Sequence, residues 1–239
     1  MRPTIDFHTL RRAGLCFGLC VALAATLVGC APSAPKPMAP AGDAAPDLQD
    51  DYYRAARAKG ERILQIDSQA SVIRVLVRRG GRLARLGHDH VVASRHVQGQ
   101  VAPDAGRADF RFRLDHMTVD EQALRQQAGF TTQPSEEAIA GTRNNMLTKV
   151  LDAERYPFVS VQARGAAIDG PLSVSITLHG VTRTMAIPVQ ITRGAQASMT
   201  VSGAVSVKQT DFGLVPFSVL GGAIAVEDQI DLQFSIVAR

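Results

Sequence analysis

Apolar and polar residues alternate with a period of two in many segments between residue 62 and the end of the chain. The clearest case is Asp109-Phe110-Arg111-Phe112-Arg113-Leu114-Asp115, which places three apolar side chains on one side and four charged ones on the other. Segments 172–178, 185–191, 201–207 and 230–236 repeat the pattern. Because successive side chains of a strand point to opposite faces, the pattern predicts half-buried antiparallel strands.

One region interrupts this alternation. Thr118-Val119-Asp120-Glu121 has the form of a capping box, which predicts the start of a short helix. A longer helix is predicted after Pro134-Ser135-Glu136-Glu137 and ends before Tyr156-Pro157. Its apolar face consists of Ile139, Met146, Leu147, Val150 and Leu151. A further short helix is predicted over residues 48–59, before Gly60.

About eight strands with one helical insertion and no second helical layer predict an all-β fold. Within this class we favour a closed antiparallel barrel, since closure removes the exposed edges of a sheet. A sandwich of two sheets with one capping helix fits the same pattern. Residues 62–239 are long enough to form this single domain around its own core.

Residues 1–29 have the features of a signal peptide: basic residues precede the apolar run AGLCFGLCVALAATLV, which is too short to span a membrane comfortably. The run ends in Leu27-Val28-Gly29-Cys30, which resembles a bacterial lipobox, so Cys30 is predicted to be lipidated. A simple signal peptide with Cys30 incidental is the alternative. Residues 30–61 then form a proline-rich tether and the short helix.

These features predict a periplasmic protein that a lipid on Cys30 anchors to a bacterial membrane. Ala31, rather than an aspartate, follows Cys30 and favours the outer membrane. Residues 31–239 contain no cysteine, which excludes disulfides and thiol chemistry from the mature domain.

Several functional classes are excluded or disfavoured by what the sequence contains. Removal of the signal peptide lowers the formal charge of +4 to about +2, and no run of basic residues predicts a nucleic-acid surface. No Gly-x-Ser-x-Gly motif is present, and the pairs Gly80-Gly81 and Gly221-Gly222 have no phosphate-loop context. We therefore predict that the protein is not an enzyme and has no cofactor.

The segment His88-Asp89-His90 is the one candidate polar site. On a strand the two imidazoles would share a face, as in a metal site, but zinc needs at least one more protein ligand. His96, His116 and His179 are the candidates, and none has a recognisable spacing. We predict no metal and assign His88 or His90 to hydrogen bonding with a ligand headgroup. A metal-dependent or redox enzyme centred on His88 and His90 is the alternative function.

The order of five motifs resembles that of the YceI-like family of exported bacterial proteins, over residues 62–237. The motifs are the strand leading into Leu86-Gly87-His88-Asp89-His90, the strand 110–114 with Met117-Thr118-Val119-Asp120, the region from Arg143-Asn144-Asn145-Met146-Leu147 to Tyr156-Pro157, Thr177-Leu178-His179-Gly180-Val181-Thr182-Arg183, and Thr210-Asp211-Phe212-Gly213-Leu214. The resemblance implies a lipocalin-like barrel that encloses an isoprenoid chain, such as the tail of a quinone. The histidine pair and the lipidated tether depart from the usual family pattern.

An eight-stranded barrel either fills with its own side chains or holds one elongated ligand, and the resemblance favours the ligand. We therefore predict a binding protein for an isoprenoid or similar amphiphilic lipid, such as an isoprenoid quinone or a polyprenyl lipid. The predicted ligand-binding residues are Phe110, Phe112, Leu114, Met146, Leu147, Val150, Val174, Ile176, Val205, Phe234, His88 and His90. The oligomeric state is left open, with a dimer as one option.

Overall fold

The computed structural model of the chain describes residues 50–165, 170–195 and 198–239. The predicted signal peptide, Cys30 and the tether up to residue 49 lie outside the described residues. Within the described ranges there are three α-helices, α1 (Asp50–Ala58), α2 (Gln122–Gln127) and α3 (Glu136–Asn145), and α3 continues into a π-helical turn over Met146–Val150. None of these helices combines the length and the apolar composition needed to cross a membrane.

The same ranges contain thirteen strands. They are β1 (Leu64–Gln65), β2 (Val72–Gly80), β3 (His90–Ser94), β4 (Gln98–Ala102), β5 (Arg107–Arg113), β6 (Thr118–Val119), β7 (Phe158–Arg164), β8 (Leu172–Leu178), β9 (Val181–Ile187), β10 (Val189–Arg193), β11 (Met199–Lys208), β12 (Ser218–Val219) and β13 (Ile224–Ala238). All pair antiparallel, in two sheets. Sheet A has the order β1-β4-β5-β7-β8-β9, and sheet B has the order β10-β11-β13-β2-β3-β6, with β12 paired to the start of β13.

The two sheets are joined at two corners. Pro188 separates β9 in sheet A from β10 in sheet B, because proline has no N–H with which to continue a ladder. At the other corner, Gln65 and Arg239 exchange backbone hydrogen bonds of 2.8 and 2.9 Å, which links β1 to the end of β13. The prediction of an all-β antiparallel fold is confirmed. Among the described strands, however, the pairing forms two sheets rather than one continuous closed ring.

The predicted alternation determines which side chains face the space between the sheets. On β5, Phe112 is 7% exposed and packs in the core, whereas Asp109 points to the outer face of sheet A. Between β8 and β9 the chain turns through only His179 and Gly180, whose φ angles of 52° and 74° are those of a type I′ hairpin. His179 is therefore a turn residue.

Helix α1 covers the outer face of sheet A and accounts for a buried charge that the strand pattern does not predict. Tyr53 of α1 is fully buried and donates a hydrogen bond of 2.7 Å to the Asp109 carboxylate. Arg107 and Arg164 bind the same carboxylate at 2.8 Å each. Burial and the neighbouring Asp109 charge both raise the pKa of the Tyr53 hydroxyl. The charge of Asp109 is thus balanced by two arginines beneath α1, where water does not solvate it.

Helices α2 and α3 occupy the predicted insertion between β6 and β7, with one difference at the start of α2. Ser135 caps α3 by accepting the Ala138 N–H at 3.2 Å, which confirms the predicted start of that helix. Thr118 and Glu121 do bond, at 2.6 Å, but Thr118 belongs to β6 and α2 begins only at Gln122. The predicted capping box therefore joins a strand to a helix and does not cap the helix itself.

We expect Phe112→Asp to unfold the domain or leave it aggregated, because a buried, unpaired carboxylate costs several kcal/mol, which is comparable to the total stability of a domain. Thermal unfolding followed by circular dichroism measures the effect. Ala204→Asp is the matched control, since Ala204 is exposed on β11 and its variant should melt close to the wild type. A soluble Phe112→Asp protein with an unchanged melting temperature would contradict the inward register of β5.

Candidate ligand-binding cavity

A cavity of about 410 Å³ lies between sheets A and B. This volume falls in the range of about 300–1,000 Å³ that is typical of small-molecule sites. Sheet A contributes side chains from β5, β7 and β8 to its wall, and sheet B contributes side chains from β2, β11 and β13. The walls consist mainly of Val, Ile, Leu, Ala and Phe.

The cavity explains why many inward-facing residues are only half-buried. Val75, Val205, Leu232 and Phe234 follow the inward register of sheet B, yet each stays partly exposed because it borders the cavity. In a close-packed core such side chains would touch neighbours on all sides. Gly203 permits the close approach of Phe234, since a Cβ at this position would lie 2.8 Å from the Phe234 ring. The interior of the described domain is therefore not a solid core.

Polar side chains line the cavity, and most of them lie at one end. Within the described residues they are Arg79, His88, His90, Thr142, Asn145 and Gln209. Val77 pairs with both His90 and Ile230, and Ile230 pairs with Val207, so these residues form one row across sheet B. Residues 79, 88 and 209 lie beyond this row, at the end where Lys149 of the π-helical turn lies over the ring of Phe217. The cavity is consequently apolar along its length and polar at this end.

His90 is held at the polar end by a buried network. Its Nδ1 lies 2.6 Å from the Asp120 carboxylate, which also accepts the Val91 N–H at 3.0 Å and binds Arg125 at 2.6 Å. Asp120 and Arg125 have almost no exposed surface, and Arg125 donates further to the carbonyl oxygens of Asp89 and Thr132. A carboxylate can only accept from the imidazole, so Nδ1 carries the hydrogen and Nε2 remains for a ligand.

The charge of Asp120 is maintained by its partners. Burial by itself raises the pKa of this carboxyl, but the hydrogen bonds from His90, Val91 and Arg125 outweigh burial and leave the pKa below its ordinary value. The stability that the ionised group supplies is present above the pKa of an unfolded aspartate and is lost as pH falls through the folded-state value. At neutral pH, Asp120 therefore remains an anion that fixes the orientation of the His90 ring.

His88 borders the cavity beside His90, with ring centroids 6.2 Å apart, and its side chain is exposed. The other three candidate ligands lie elsewhere. His96 contacts His116 at 5.4 Å between ring centroids, and His179 contacts Tyr156 at 4.5 Å. In the part of the chain that the structure describes, no three His, Cys, Asp or Glu side chains are grouped so as to hold a metal ion.

Two further polar residues of this end, Arg79 and Gln209, have partners within the protein. The backbone N–H of Arg79 donates to Asp89 at 3.0 Å, and its guanidinium donates to the Gly87 carbonyl at 3.0 Å and lies 3.7 Å from the Asp89 carboxylate. Gln209 is buried and donates to the Glu227 carbonyl at 2.8 Å. Arg79 is thereby paired with Asp89, and the polar lining groups left for a ligand are the two histidines and the side chains of Thr142 and Asn145.

The structure brings together eleven of the twelve predicted ligand-binding residues. Those that line the cavity are Phe110, Phe112, Leu114, Met146, Val150, Val174, Ile176, Val205, Phe234, His88 and His90. Leu147, in the π-helical turn, packs against the core without lining the cavity.

Sequence reasoning missed two groups of residues. The first comprises wall residues of β2 and β13, namely Ile73, Val75, Val77, Ile230, Leu232 and Ile236, which the alternation in the sequence would have identified. The second comprises Asp120 and Arg125, which support His90 from a distance of 30 or more positions along the chain. No local pattern in the sequence links these two residues to His90.

A family model described as a YceI-like domain matches residues 64–238. None of the curated proteins compared with the chain matches it. A polyisoprenoid binding domain from Saccharophagus degradans, implicated in plant cell wall breakdown, has a similar structure with a TM-score of 0.54 at 13% identity, covering 74% of this chain and 97% of that one. BcnA of Burkholderia cenocepacia has a TM-score of 0.50 at 15% identity, covering 73% and 99%.

At such low identity, the two solved structures show a shared fold and no more. The family model carries more weight, because it extends from the first residue of β1 to the last residue of β13 and therefore includes both sheets and the cavity between them. The chain belongs to the family of YceI-like domains.

Proposed function

We propose that this protein binds one isoprenoid or similar amphiphilic lipid in the cavity between sheets A and B. The observation that carries the proposal is the distribution of polarity: an apolar wall runs along the cavity, and four of the six polar side chains that line it, those of Arg79, His88, His90 and Gln209, lie at one end. An amphiphile has the complementary distribution, with an apolar tail and one polar head. Burial of the tail removes its surface from water, which contributes roughly 25 cal/mol for each Å².

The two sheets act in this proposal as one barrel-like, lipocalin-like container. The passage of the chain through Pro188 and the bonds between Gln65 and Arg239 join the sheets at their two corners. A slender tail suits a wall of small apolar side chains. An isoprenoid quinone or a polyprenyl lipid is the ligand class proposed, and the polyisoprenoid binding described for the domain from Saccharophagus degradans supports it.

The head of the ligand lies next to His88 and His90 in this arrangement. His90 is the stronger candidate contact, because Asp120 already fixes its ring and Nε2 has no bonding partner among the described residues. The tail contacts the nine apolar predicted residues that line the cavity and the apolar walls of β2 and β13. The role proposed is binding and not catalysis. The alternative, a metal-dependent or redox enzyme at His88 and His90, is tested below by metal analysis.

We further propose that the protein is exported and held by a lipid on Cys30 at a periplasmic membrane surface, the outer membrane by preference. The support is the order of basic, apolar and small residues before Cys30 and the proline-rich segment after it.

Val205→Trp tests whether the lipid occupies the cavity. Val205 borders the cavity from β11, so an indole at this position should fill part of the volume and lower the amount of co-purifying lipid about tenfold or more, which corresponds to at least ~1.4 kcal/mol. Mass spectrometry of an organic extract of the purified protein measures the lipid. Ala204→Trp is the matched control, because the neighbouring side chain is exposed. Equal lipid in both variants, or none in the wild type, would rule out the cavity as the lipid site.

The combined change His88→Gln and His90→Gln tests the headgroup contact. The fold should be retained, since a glutamine amide at position 90 can still donate to Asp120, while lipid affinity should fall by about 1–3 kcal/mol. A titration with a fluorescent polyprenyl lipid measures the affinity, and His96→Gln, at an exposed position, serves as the control. Stoichiometric zinc, copper or iron in the dialysed wild type, absent from the double variant, would instead establish the metal-enzyme alternative.

Cys30→Ser tests the anchor. If one lipidated thiol holds the protein, the variant should move from the membrane fraction to the soluble periplasmic fraction. Cell fractionation with a high-salt wash measures this distribution, and Cys20→Ser controls for the loss of a cysteine from the segment before Cys30. A Cys30→Ser protein that still sediments with membranes after the wash would show that lipidation is not the anchor.

A further inference from the structure

Large exposed apolar side chains are concentrated in two loops. Leu86 is 60% exposed, Val215 77%, Val219 41% and Leu220 72%, and among the described residues these are the exposed large hydrophobic side chains. Leu86 lies in residues 81–88, between β2 and β3, and the other three lie in residues 213–222, between β11 and β13. Single exposed apolar residues are common on proteins, but a group of this kind marks an interaction site.

The two loops form one continuous surface, which we call the apolar rim (residues 81–88 and 213–222). Leu83 donates a backbone hydrogen bond of 2.7 Å to the carbonyl oxygen of Ala223, directly after the second loop. A Cβ on Gly81 would lie only 2.7 Å from the Gly222 carbonyl oxygen, so the two loops are in close contact. The exposed side chains of both loops therefore belong to the same end of the domain.

The apolar rim surrounds the polar end of the cavity. Gly87 and His88 of the first loop line the cavity, as do Leu214 and Phe217 of the second. Any molecule that enters or leaves the cavity at this end passes the rim.

Three consecutive residues of the rim have a left-handed backbone conformation. Leu220 adopts a positive φ of 51°, and Gly221 and Gly222 follow at 62° and 84°. Leucine is rarely found in this left-handed region, which costs on the order of one to a few kcal/mol for a residue with a Cβ and persists only where the surrounding structure imposes it.

The charged residues of the rim are all positive. Residues 81–88 carry Arg82 and Arg85, and residues 213–222 carry no charged group. Both arginines are exposed, and neither has an ion-pair partner within the part of the chain that the structure describes. Lys149 adds a third positive charge, with its ammonium group 5.7 Å from the centroid of the Phe217 ring. The nearest acidic residues along the chain are Asp89, whose carboxylate binds Arg79, and Asp211 and Glu227, and all three lie outside the rim.

We infer that the apolar rim docks onto the surface of a lipid bilayer that contains anionic lipids, with the mouth of the cavity facing the bilayer. Exposed leucine and valine side chains flanked by unpaired arginines are the composition that binds to membrane interfaces. The arginines bind lipid phosphates, and Leu86, Val215 and Leu220 enter the interfacial zone. This contact goes beyond the proposed ligand binding, because it requires only the bilayer and not the isoprenoid.

Tryptophan fluorescence tests the docking directly, because the chain contains no tryptophan. Leu220→Trp introduces a single reporter in the rim, and Ala204→Trp places one on an exposed strand position away from it. The probe is a vesicle of phosphatidylcholine and phosphatidylglycerol that includes brominated phosphatidylcholine and no isoprenoid. We expect a blue shift and quenching for Leu220→Trp and neither for Ala204→Trp, whatever the N-terminal segment contributes to vesicle binding.

The arginines provide a second measurement in the Leu220→Trp protein. Arg82→Gln with Arg85→Gln should weaken quenching-detected binding by about 30-fold, as the loss of two charges near an anionic surface predicts, and should reduce its dependence on salt. Arg54→Gln with Lys59→Gln removes the same charge from the α1 region and should change the binding little.

Three results would overturn the inference. The first is an unshifted, unquenched Leu220→Trp signal while the protein sediments with vesicles, which would assign membrane contact to another segment. The second is a blue shift that depends on protein concentration without vesicles, which would assign the rim to a second copy of the chain. The third is equal vesicle binding by the variant that lacks Arg82 and Arg85 and by the control variant that lacks Arg54 and Lys59. Lipid extraction from the same variants reports separately on the cavity, so a failure of docking is distinguishable from a failure of ligand binding.

Discussion

Strand β13 is the element on which the rest of the structure depends. Its fifteen residues pair with β11 on one side and with β2 on the other, and its end bonds to the segment that includes β1. The inward side chains Leu232, Phe234 and Ile236 build one wall of the cavity, while the chain that precedes Ile224 forms half of the apolar rim. One long antiparallel strand thus connects both sheets, the cavity and its mouth.

At the polar end of the cavity, the buried charge of Asp120 depends on each of its hydrogen-bonding partners. A carboxylate as buried as Asp120 would be strongly destabilising alone, and it is tolerated because His90, Arg125 and the Val91 N–H all bind it. The pair with Arg125 is weak evidence for stability, since its Coulombic gain is offset by desolvation. Its clearer effect is positional: it keeps an imidazole in a defined orientation at the end of an otherwise apolar cavity.

Polarity changes in a consistent order along the domain. The apolar wall ends at the histidines, and the histidines are bordered by a rim that is again apolar but carries unpaired arginines. If the rim docks onto a bilayer as proposed, an amphiphile exchanges between the cavity and the bilayer with little of its tail entering water. Exposure of the tail to water is the main energetic cost of such a transfer.

The local alternation of apolar and polar residues determined most of the strands and most of the cavity wall. Alternation on β5, β8, β11 and β13 predicted the strands and most of the cavity wall, because a period of two assigns each side chain to a face whatever its neighbours are. Pairing across long separations was decided only in the tertiary structure. It divided the strands into two sheets at Pro188, where the sequence favoured one closed ring, and it buried Asp109 under α1 and Asp120 behind His90. The contacts of Tyr53 with Asp109 and of Asp120 with His90 join residues 30 or more positions apart, and no local periodicity encodes them, although Arg107 and Arg125 lie only two and five positions from the carboxylates that they bind.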